Sequence, residues 1–399
     1  MKEKKIVVGV TGGIAAYKAA ELVRLLVRAG ARTRVAMTQN ATRFVAPLTF
    51  EALSGRRVVW DMWDPETGPM DHISMGQEAD LIIIAPATAD FIGRMAQGFG
   101  DDFLSTMVIA STARILVCPS MNDRMFLNPA VRENLERLKG RGISIMEPAE
   151  GELACGAEGP GRLQEPAVIL EQAAILLGRE DLSGMRFLVT AGPTIEPIDP
   201  VRYITNRSSG KMGFALARVA RQRGADVTLI SGPTNLGPPF GVALERVRTT
   251  EEMKEAVLRH SPQSDVIIKA AAVSDYRPKN MAAHKIKKGH KVHALELVPN
   301  PDILAELGSL RGNHRWVLVG FAAETQDLAA NAGEKLKSKN LDLIVANDVS
   351  REDAGFESDT NRVKILSRDG GVEDCPLMTK EETADRILDR VKDLWNKAH

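Results

Sequence analysis

Cysteine is scarce in this chain. The three that occur, Cys118, Cys155 and Cys375, are far apart and odd in number. That excludes a disulfide framework, offers no metal-ligand spacing, and fits a reducing compartment. A dominant sign of charge is also missing: 52 basic side chains balance 52 acidic ones over 399 residues. No bulk attraction therefore draws the chain to nucleic acid or to an anionic membrane. No run approaches the ~20 apolar residues of a membrane span. The charged opening before Ile6–Val10 imitates a secretory leader, but Gly12 and Gly13 interrupt the apolar run and no small-residue cleavage site follows. A cytoplasmic protein is expected. Low-complexity segments and short repeats are absent too. The remainder, 44% apolar and 26% charged, has the balance of a globular chain, long enough for two domains of ~100–200 residues each.

Two similar openings divide the sequence. Lys5–Val10 is a β-rich run, followed by the loop Thr11-Gly12-Gly13 and a helix with Ala19, Leu22, Val23 and Leu26 on one stripe. Gly30 stops that helix and Arg32–Thr38 is the next strand. The second opening is Arg186–Ala191, a long polar loop, a helix with Gly213, Leu216, Ala217 and Ala220 on one stripe, then Gly224 and the strand Ala225–Ser231. Each is a βαβ start, which implies a right-handed parallel sheet. Further apolar strands are expected at Leu81–Ala85, Ile115–Cys118, Val266–Ala270, Trp316–Phe321 and Leu341–Ala346, hydrophobic enough to be covered on both faces. Ala384, Ile387, Leu388 and Val391 mark a final amphipathic helix. The domain boundary is expected near Gly178–Gly184, giving domains of residues 1–180 and 181–399.

Neither glycine loop is the G-x-G-x-x-G of a dinucleotide site, and neither half offers the Walker spacing. An NAD site also wants an acidic residue at the end of the second strand; here those strands end in Thr38 and Ser231. Glycine lets backbone N–H groups approach an anion at a helix N-terminus, so a phosphate-bearing mononucleotide suits both halves better than NAD. The plainer reading, that the glycines only make tight strand-to-helix turns, stays open for each loop alone.

Several motifs together are more specific. Pro86-Ala87-Thr88-Ala89-Asp90-Phe91-Ile92 is similar to the flavin-contacting loop of flavin-dependent cysteine decarboxylases, and Pro119–Met125 resembles their substrate-binding signature. Ala154-Cys155-Gly156 resembles their substrate-lid motif, and His72-Ile73 falls where their catalytic histidine sits. In the second half Thr205–Gly213 is similar to the phosphate loop of phosphopantothenate–cysteine ligases, and Ala271–Pro278, Lys285–Lys288 and Gly320–Thr325 continue the match. Over nearly its whole length the chain resembles the bacterial bifunctional phosphopantothenoylcysteine decarboxylase/phosphopantothenate–cysteine ligases of coenzyme A biosynthesis. One departure is Phe126, where the family often has Trp or Tyr.

The resemblance implies an α/β protein of two doubly wound, mainly parallel domains, a flavodoxin-like flavoprotein domain followed by a Rossmann-like ligase domain. In the first it implies FMN as the electron sink for loss of CO₂, with Gly12, Gly13 and Thr38 at its phosphate and Thr88 and Asp90 near its ring or ribityl chain. His72 is then an acid/base residue, Asn122 a partner of the substrate carboxylate, and Cys155 a proton donor in a lid loop. Structural alternatives are a surface or core role for His72 and a helix N-cap for Asn122.

In the second domain the resemblance implies CTP as co-substrate, an acyl-cytidylate, and a divalent metal, Mg²⁺ or Mn²⁺, whose protein ligands the sequence does not identify. Asn206 is the residue expected to support that chemistry, with Ser208, Ser209 and Gly210 at phosphate. Lys269, Ala270, Ala271, Asp275, Lys285, Pro301, Asp302, Ile303, Leu304, Phe321, Lys335 and Lys339 are expected around the nucleotide. Lys285–Lys288 reads as a mobile flap or, on composition alone, as a solvated charged loop. Trimeric decarboxylase contacts and dimeric ligase contacts are implied, with phosphopantothenate, cysteine and CTP as substrates and neither nucleic acid nor membrane as partner. A flavin-binding regulatory protein, or a ligase whose first half only scaffolds, are the competing readings; complete ligase motifs oppose the one, and His72, Asn122 and Cys155 together oppose the other.

Overall fold

A computed structural model describes residues 1–152, 156, 158–288, 294–313, 316–324, 328–348 and 358–398. The chain separates into two units, Met1–Gly178 and Arg179–His399. Among the described residues no helix is long and apolar enough to cross a membrane.

The first unit is built on strands β1 (Lys5–Val10), β2 (Arg32–Met37), β3 (Leu81–Ala87), β4 (Arg114–Pro119) and β5 (Ser144–Ile145), in the order β2-β1-β3-β4-β5, all parallel. Every residue of β3 is buried, as expected of a strand covered by helices on both faces. The helix Ala16–Arg28 buries Ala16, Ala19, Leu22, Val23 and Leu26 against the sheet, and Gly30, at φ +81°, ends it in the left-handed region. Ile82, Ile84, Phe91, Ile92, Phe103, Leu104 and Met107 fill one core, each full burial contributing roughly 1.5–3 kcal/mol. The chain leaves β1 toward β2 on one side and reaches β3 on the other. Strand order therefore reverses beside β1, and the loops at the carboxyl ends of β1, β2 and β3 meet there. The Gly- and Glu-rich stretch expected as a loop pairs instead as an antiparallel hairpin of β6 (Ala149–Glu152) and β7 (Glu158–Arg162).

The second unit has eight main strands, β8 (Arg186–Ala191), β9 (Asp226–Ser231), β10 (Ala243–Arg246), β11 (Val266–Lys269), β12 (Val317–Glu324), β13 (Leu343–Asp348), β14 (Val363–Ser367) and β15 (Val372–Asp374). They lie in the order β10-β9-β8-β11-β12-β13-β14-β15. The first six are parallel, and β14 and β15 add an antiparallel edge that the sequence reading did not anticipate. Strands β12 and β13 also run past their expected ends at Phe321 and Ala346, because pairing with each other continues to Glu324 and Asp348. The final helix Lys380–Ala398 buries Ala384, Ile387, Leu388 and Val391 as its stripe requires. Here strand order reverses between β8 and β11, so the loops after those strands open a crevice between them.

Candidate functional site

At the first switch point, Thr11 is the knot. Its hydroxyl donates to the Pro86 carbonyl at 2.8 Å and accepts from the Thr88 N–H at 3.0 Å, which joins the loops after β1 and β3. The loop after β1 also presses on the loop after β2: a Cβ on Gly12 would lie 2.5 Å from Cβ of Asn40, so only glycine fits. Thr38 accepts from the Ala41 N–H at 3.3 Å. Behind this cradle the helix Ala16–Arg28 starts without a side-chain cap and without an acidic residue in its first turn; the Ala16 and Lys18 N–H groups donate to Gly13 O and Ala15 O, and the positive end of the helix, with no carboxylate of its own, favours an anion. Glycine backbone, hydroxyls and an uncapped helix are a donor set that fits a phosphate.

Thr88 caps the helix Ala89–Gln97. Asp90, in the first turn of that helix, is exposed and bonded to Arg94 at 3.0 Å. His72 is half-buried on the helix Asp71–Glu78, and among the described residues no hydrogen bond or ion pair holds its ring. Asn122 does cap a helix: its Oδ1 accepts from the Arg124 N–H at 3.0 Å, which fixes the acceptor end of the amide. Phe126 is buried with the Arg132 guanidinium 5.0 Å from its ring centroid, a cation–π contact in which a phenol or indole dipole is not needed. The hairpin of β6 and β7 rests on the Asn122 loop. Met121 N–H donates to Gly161 O at 3.0 Å, and a Cβ on Gly161, at φ +144°, would come within 2.2 Å of Met121 O. Cys155 lies outside the described residues.

The second unit holds a cavity of about 600 Å³ at its switch point. One wall is the loop Asn206–Gly213. Gly210, at φ +76°, turns the chain into the helix Lys211–Gln222, whose N-terminus has no side-chain cap; a Cβ there would lie 2.7 Å from Thr234 Cγ2. Ser208 Oγ accepts from Gly210 N–H at 3.3 Å, and Ser209 lies beside it in the wall. Asn206 donates through Nδ2 to Val273 O at 2.9 Å, tying this loop to the one after β11.

The rest of the lining is Lys269 at the end of β11, Ala270, Ala271 and Asp275 after it, then Pro301, Asp302, Ile303 and Leu304, then Phe321, Lys335 and Lys339. Asp302 caps the helix Ile303–Leu310 through the Ala305 N–H at 3.0 Å and pairs with Lys339 at 2.9 Å. Burial alone would raise its carboxyl, but these partners hold it below the ordinary range. Lys335 stands in the last turn of the helix Leu328–Ser338 and Lys339 just beyond it, one turn apart and facing the same space.

Lys285 is the exception. It is exposed and does not line the cavity, because its segment is tied elsewhere. Ile286 N–H donates to Asp199 at 3.1 Å, and Arg202, itself bonded to Asp199, donates to Ile286 O at 2.6 Å. The cavity takes in Lys211 from the phosphate-loop motif and also residues the sequence reading passed over: Asn300, Asn347, Asn361 and Lys380. Asn300 directly precedes the Pro301–Leu304 run and could have been included on that ground. Among the described residues no cluster of three or more His, Cys, Asp or Glu could hold a metal ion.

Known proteins agree with both units. The flavoprotein family model matches residues 1–177, and that of the DNA/pantothenate metabolism flavoprotein C-terminal domain matches residues 182–394. The coenzyme A biosynthesis bifunctional protein CoaBC of Vibrio cholerae serotype O1 is 47% identical over 388 residues, covering 96% of this chain and 97% of that protein. The protein of the same name from Bacillus subtilis is 47% identical over 396 residues, with 98% and 97% covered. That of Escherichia coli K12 is 46% identical over 394 residues, with 97% and 96% covered. A solved C-terminal domain of such a protein is 44% identical at a TM-score of 0.48, covering 55% of this chain and 99% of its own. The chain belongs to the family of bifunctional coenzyme A biosynthesis proteins, with a flavoprotein domain followed by the C-terminal domain that the family carries.

Proposed function

We propose that this chain converts 4′-phosphopantothenate, cysteine and CTP into 4′-phosphopantetheine, by ligation in residues 181–399 and FMN-dependent decarboxylation in residues 1–180. The observation that carries the reading is the second unit's cavity. It faces an uncapped, glycine-led helix N-terminus with Lys269, Lys335 and Lys339. A triphosphate needs that combination of backbone donors and lysine side chains.

In the ligase half the carboxylate of phosphopantothenate attacks the α-phosphorus of CTP, forming an acyl-cytidylate and releasing pyrophosphate; the amine of cysteine then displaces CMP. Ser208, Ser209 and Gly210 receive phosphate. Asn206 keeps its loop against the one after β11, with its Oδ1 as the end turned from Val273 O. Mg²⁺ or Mn²⁺ would be held mainly by phosphate oxygens, with Asp275 as the carboxylate closest to the role, since no cluster among the described residues replaces them. The Lys285 segment reaches the site only by leaving the Asp199–Arg202 pair, the movement expected of a flap.

In the decarboxylase half Gly12, Gly13 and Thr38 hold the FMN phosphate, and Thr88 and Asp90 stand at the mouth of the same cradle. FMN supplies the electron sink that lets CO₂ leave. His72 moves a proton, Asn122 orients the substrate carboxylate, and Cys155 returns a proton. Exposed Ile14, Tyr17, Phe44 and Leu48 border this cradle and support a homo-oligomer. A cytoplasmic site of action completes the reading.

Purified protein should show flavin absorbance at about one FMN per chain, and the three substrates with Mg²⁺ should yield pyrophosphate and CO₂, with CTP preferred to ATP. Protein that stays colourless after reconstitution refutes the first half of the proposal. Pyrophosphate release indifferent to CTP refutes the second.

A further inference from the structure

A buried ammonium is tolerated when oxygens surround it. Lys380, 5% exposed, meets that condition, donating to the carbonyls of Ser358 and Thr360 and to Oδ1 of Asn361. Lys339, only half-buried, pairs with the Asp302 carboxylate at 2.9 Å. Lys269 does not meet the condition. It is 7% exposed, ends β11 in the cavity wall, and has a single polar neighbour at hydrogen-bonding range among the described residues, the Met253 thioether at 3.8 Å. A thioether is a weak acceptor.

The surrounding elements supply little more. In register beside Lys269, β8 presents Thr190 and β12 presents Gly320; the Thr190 hydroxyl already accepts from Ala271 N–H at 3.2 Å. The helix Thr250–His260 presents Met253. The charged groups that act on Lys269 are Asp302, already engaged by Lys339 and a helix N–H, and Lys339 itself. A side chain so placed is completed by an anion entering the cavity.

We propose that in alkaline solution Lys269 is a neutral amine before nucleotide binds and becomes an ammonium when the anionic nucleotide enters, so that nucleotide binding there takes up a proton at this side chain. The proposal rests on the nucleotide reading of the cavity given above. Burial draws the Lys269 amine down to about 7, with Asp302 opposing and Lys339 adding to the shift. The sign follows. Below about pH 7 the amine is already charged and nucleotide affinity is level. Above it a proton must be bound along with the nucleotide, and affinity falls by up to about tenfold per pH unit until the raised pKa of the complex is reached.

The test is calorimetry of the full chain with CTP and Mg²⁺ at pH 8, in two buffers of different ionisation enthalpy. The phosphates are fully ionised there, their last proton leaving near pH ~6. Wild type should take up about one proton per site, and Lys269→Met almost none, with affinity at pH 7 weakened about tenfold or more and level up to pH 9. Uptake retained in Lys269→Met overturns the assignment and moves it to Lys380, which burial, then Lys211, draw down to about 8. Should that variant not fold, wild-type affinity between pH 6 and 9 decides, and a flat profile overturns the proposal. CTP binding without proton uptake removes this inference alone; no CTP binding at any pH removes the nucleotide reading with it.

Discussion

The Asn206 amide nitrogen faces two carbonyl oxygens, Val273 O at 2.9 Å and Ala272 O at 3.5 Å. A carboxylate in its place points a charge at two acceptors and withdraws the amide donor from both, Ala272 O keeping only the longer bond from the Thr194 N–H among those described, a change that costs about 1–3 kcal/mol. Asn206→Asp should therefore slow CTP-dependent pyrophosphate release roughly ten- to hundredfold, while the flavin spectrum and the decarboxylation of supplied phosphopantothenoylcysteine stay unchanged. Equal loss of both activities means that the variant has unfolded something larger than one loop contact. Asn206 could be singled out in the sequence because it sits inside a contiguous motif. Lys380 could not. It opens the last helix beside Glu381 and Glu382, which reads as a solvated charged turn, and only the tertiary fold brings its Nζ to Ser358 O, Thr360 O and Asn361.

Helix seating decides where the phosphate-facing N–H groups point. Gly213 lies in the first turn of the helix Lys211–Gln222, and a Cβ there would lie 2.5 Å from Ala191 Cβ and 2.8 Å from Thr190 O. Backbone and a strand end cannot yield cheaply, so Gly213→Ala should lift the helix start from β8 and cost about 1–3 kcal/mol. The expected outcome is a lowered urea midpoint together with weaker CTP binding, since the displaced turn lines the cavity. Unaltered affinity in a destabilised variant shows that helix position does not govern the site. The stripe containing Gly213, Leu216, Ala217 and Ala220 was readable because helical periodicity repeats over three turns. The hairpin of β6 and β7 was not. Its Glu and Gly residues have low strand preference, and Gly159 and Gly161 are there for close approach to Asp123 and Met121, contacts that no local pattern encodes. The antiparallel edge strands β14 and β15 escaped for a related reason: β15 has only three residues, too few for alternation to register.

At the scale of the whole chain, two main sheets without a shared strand make each unit a candidate for independent folding, but the place of the cut matters. Arg223 is 3% exposed and bound to Asp181 at 2.8 Å, with Asp385 and Asp389 at 3.0 and 2.9 Å. Burial by itself would raise the Asp181 carboxyl; hydrogen bonds from Arg223 and Lys392 outweigh that and hold it at about 2. A carboxyl depressed on folding stabilises the fold above its unfolded pKa of about 3.9, and the contribution fades as pH falls toward 2. A fragment of residues 179–399 keeps this pairing, whereas one of residues 182–399 loses Asp181 and leaves Arg223 two carboxylates instead of three. The shorter fragment should be about 1–3 kcal/mol less stable in urea at neutral pH, and the gap should close as pH falls from 4 to 2. Equal urea midpoints at pH 7 exclude a role for the ion pair in holding the unit together, since the aspartates from the last helix would then neutralise the buried guanidinium unaided.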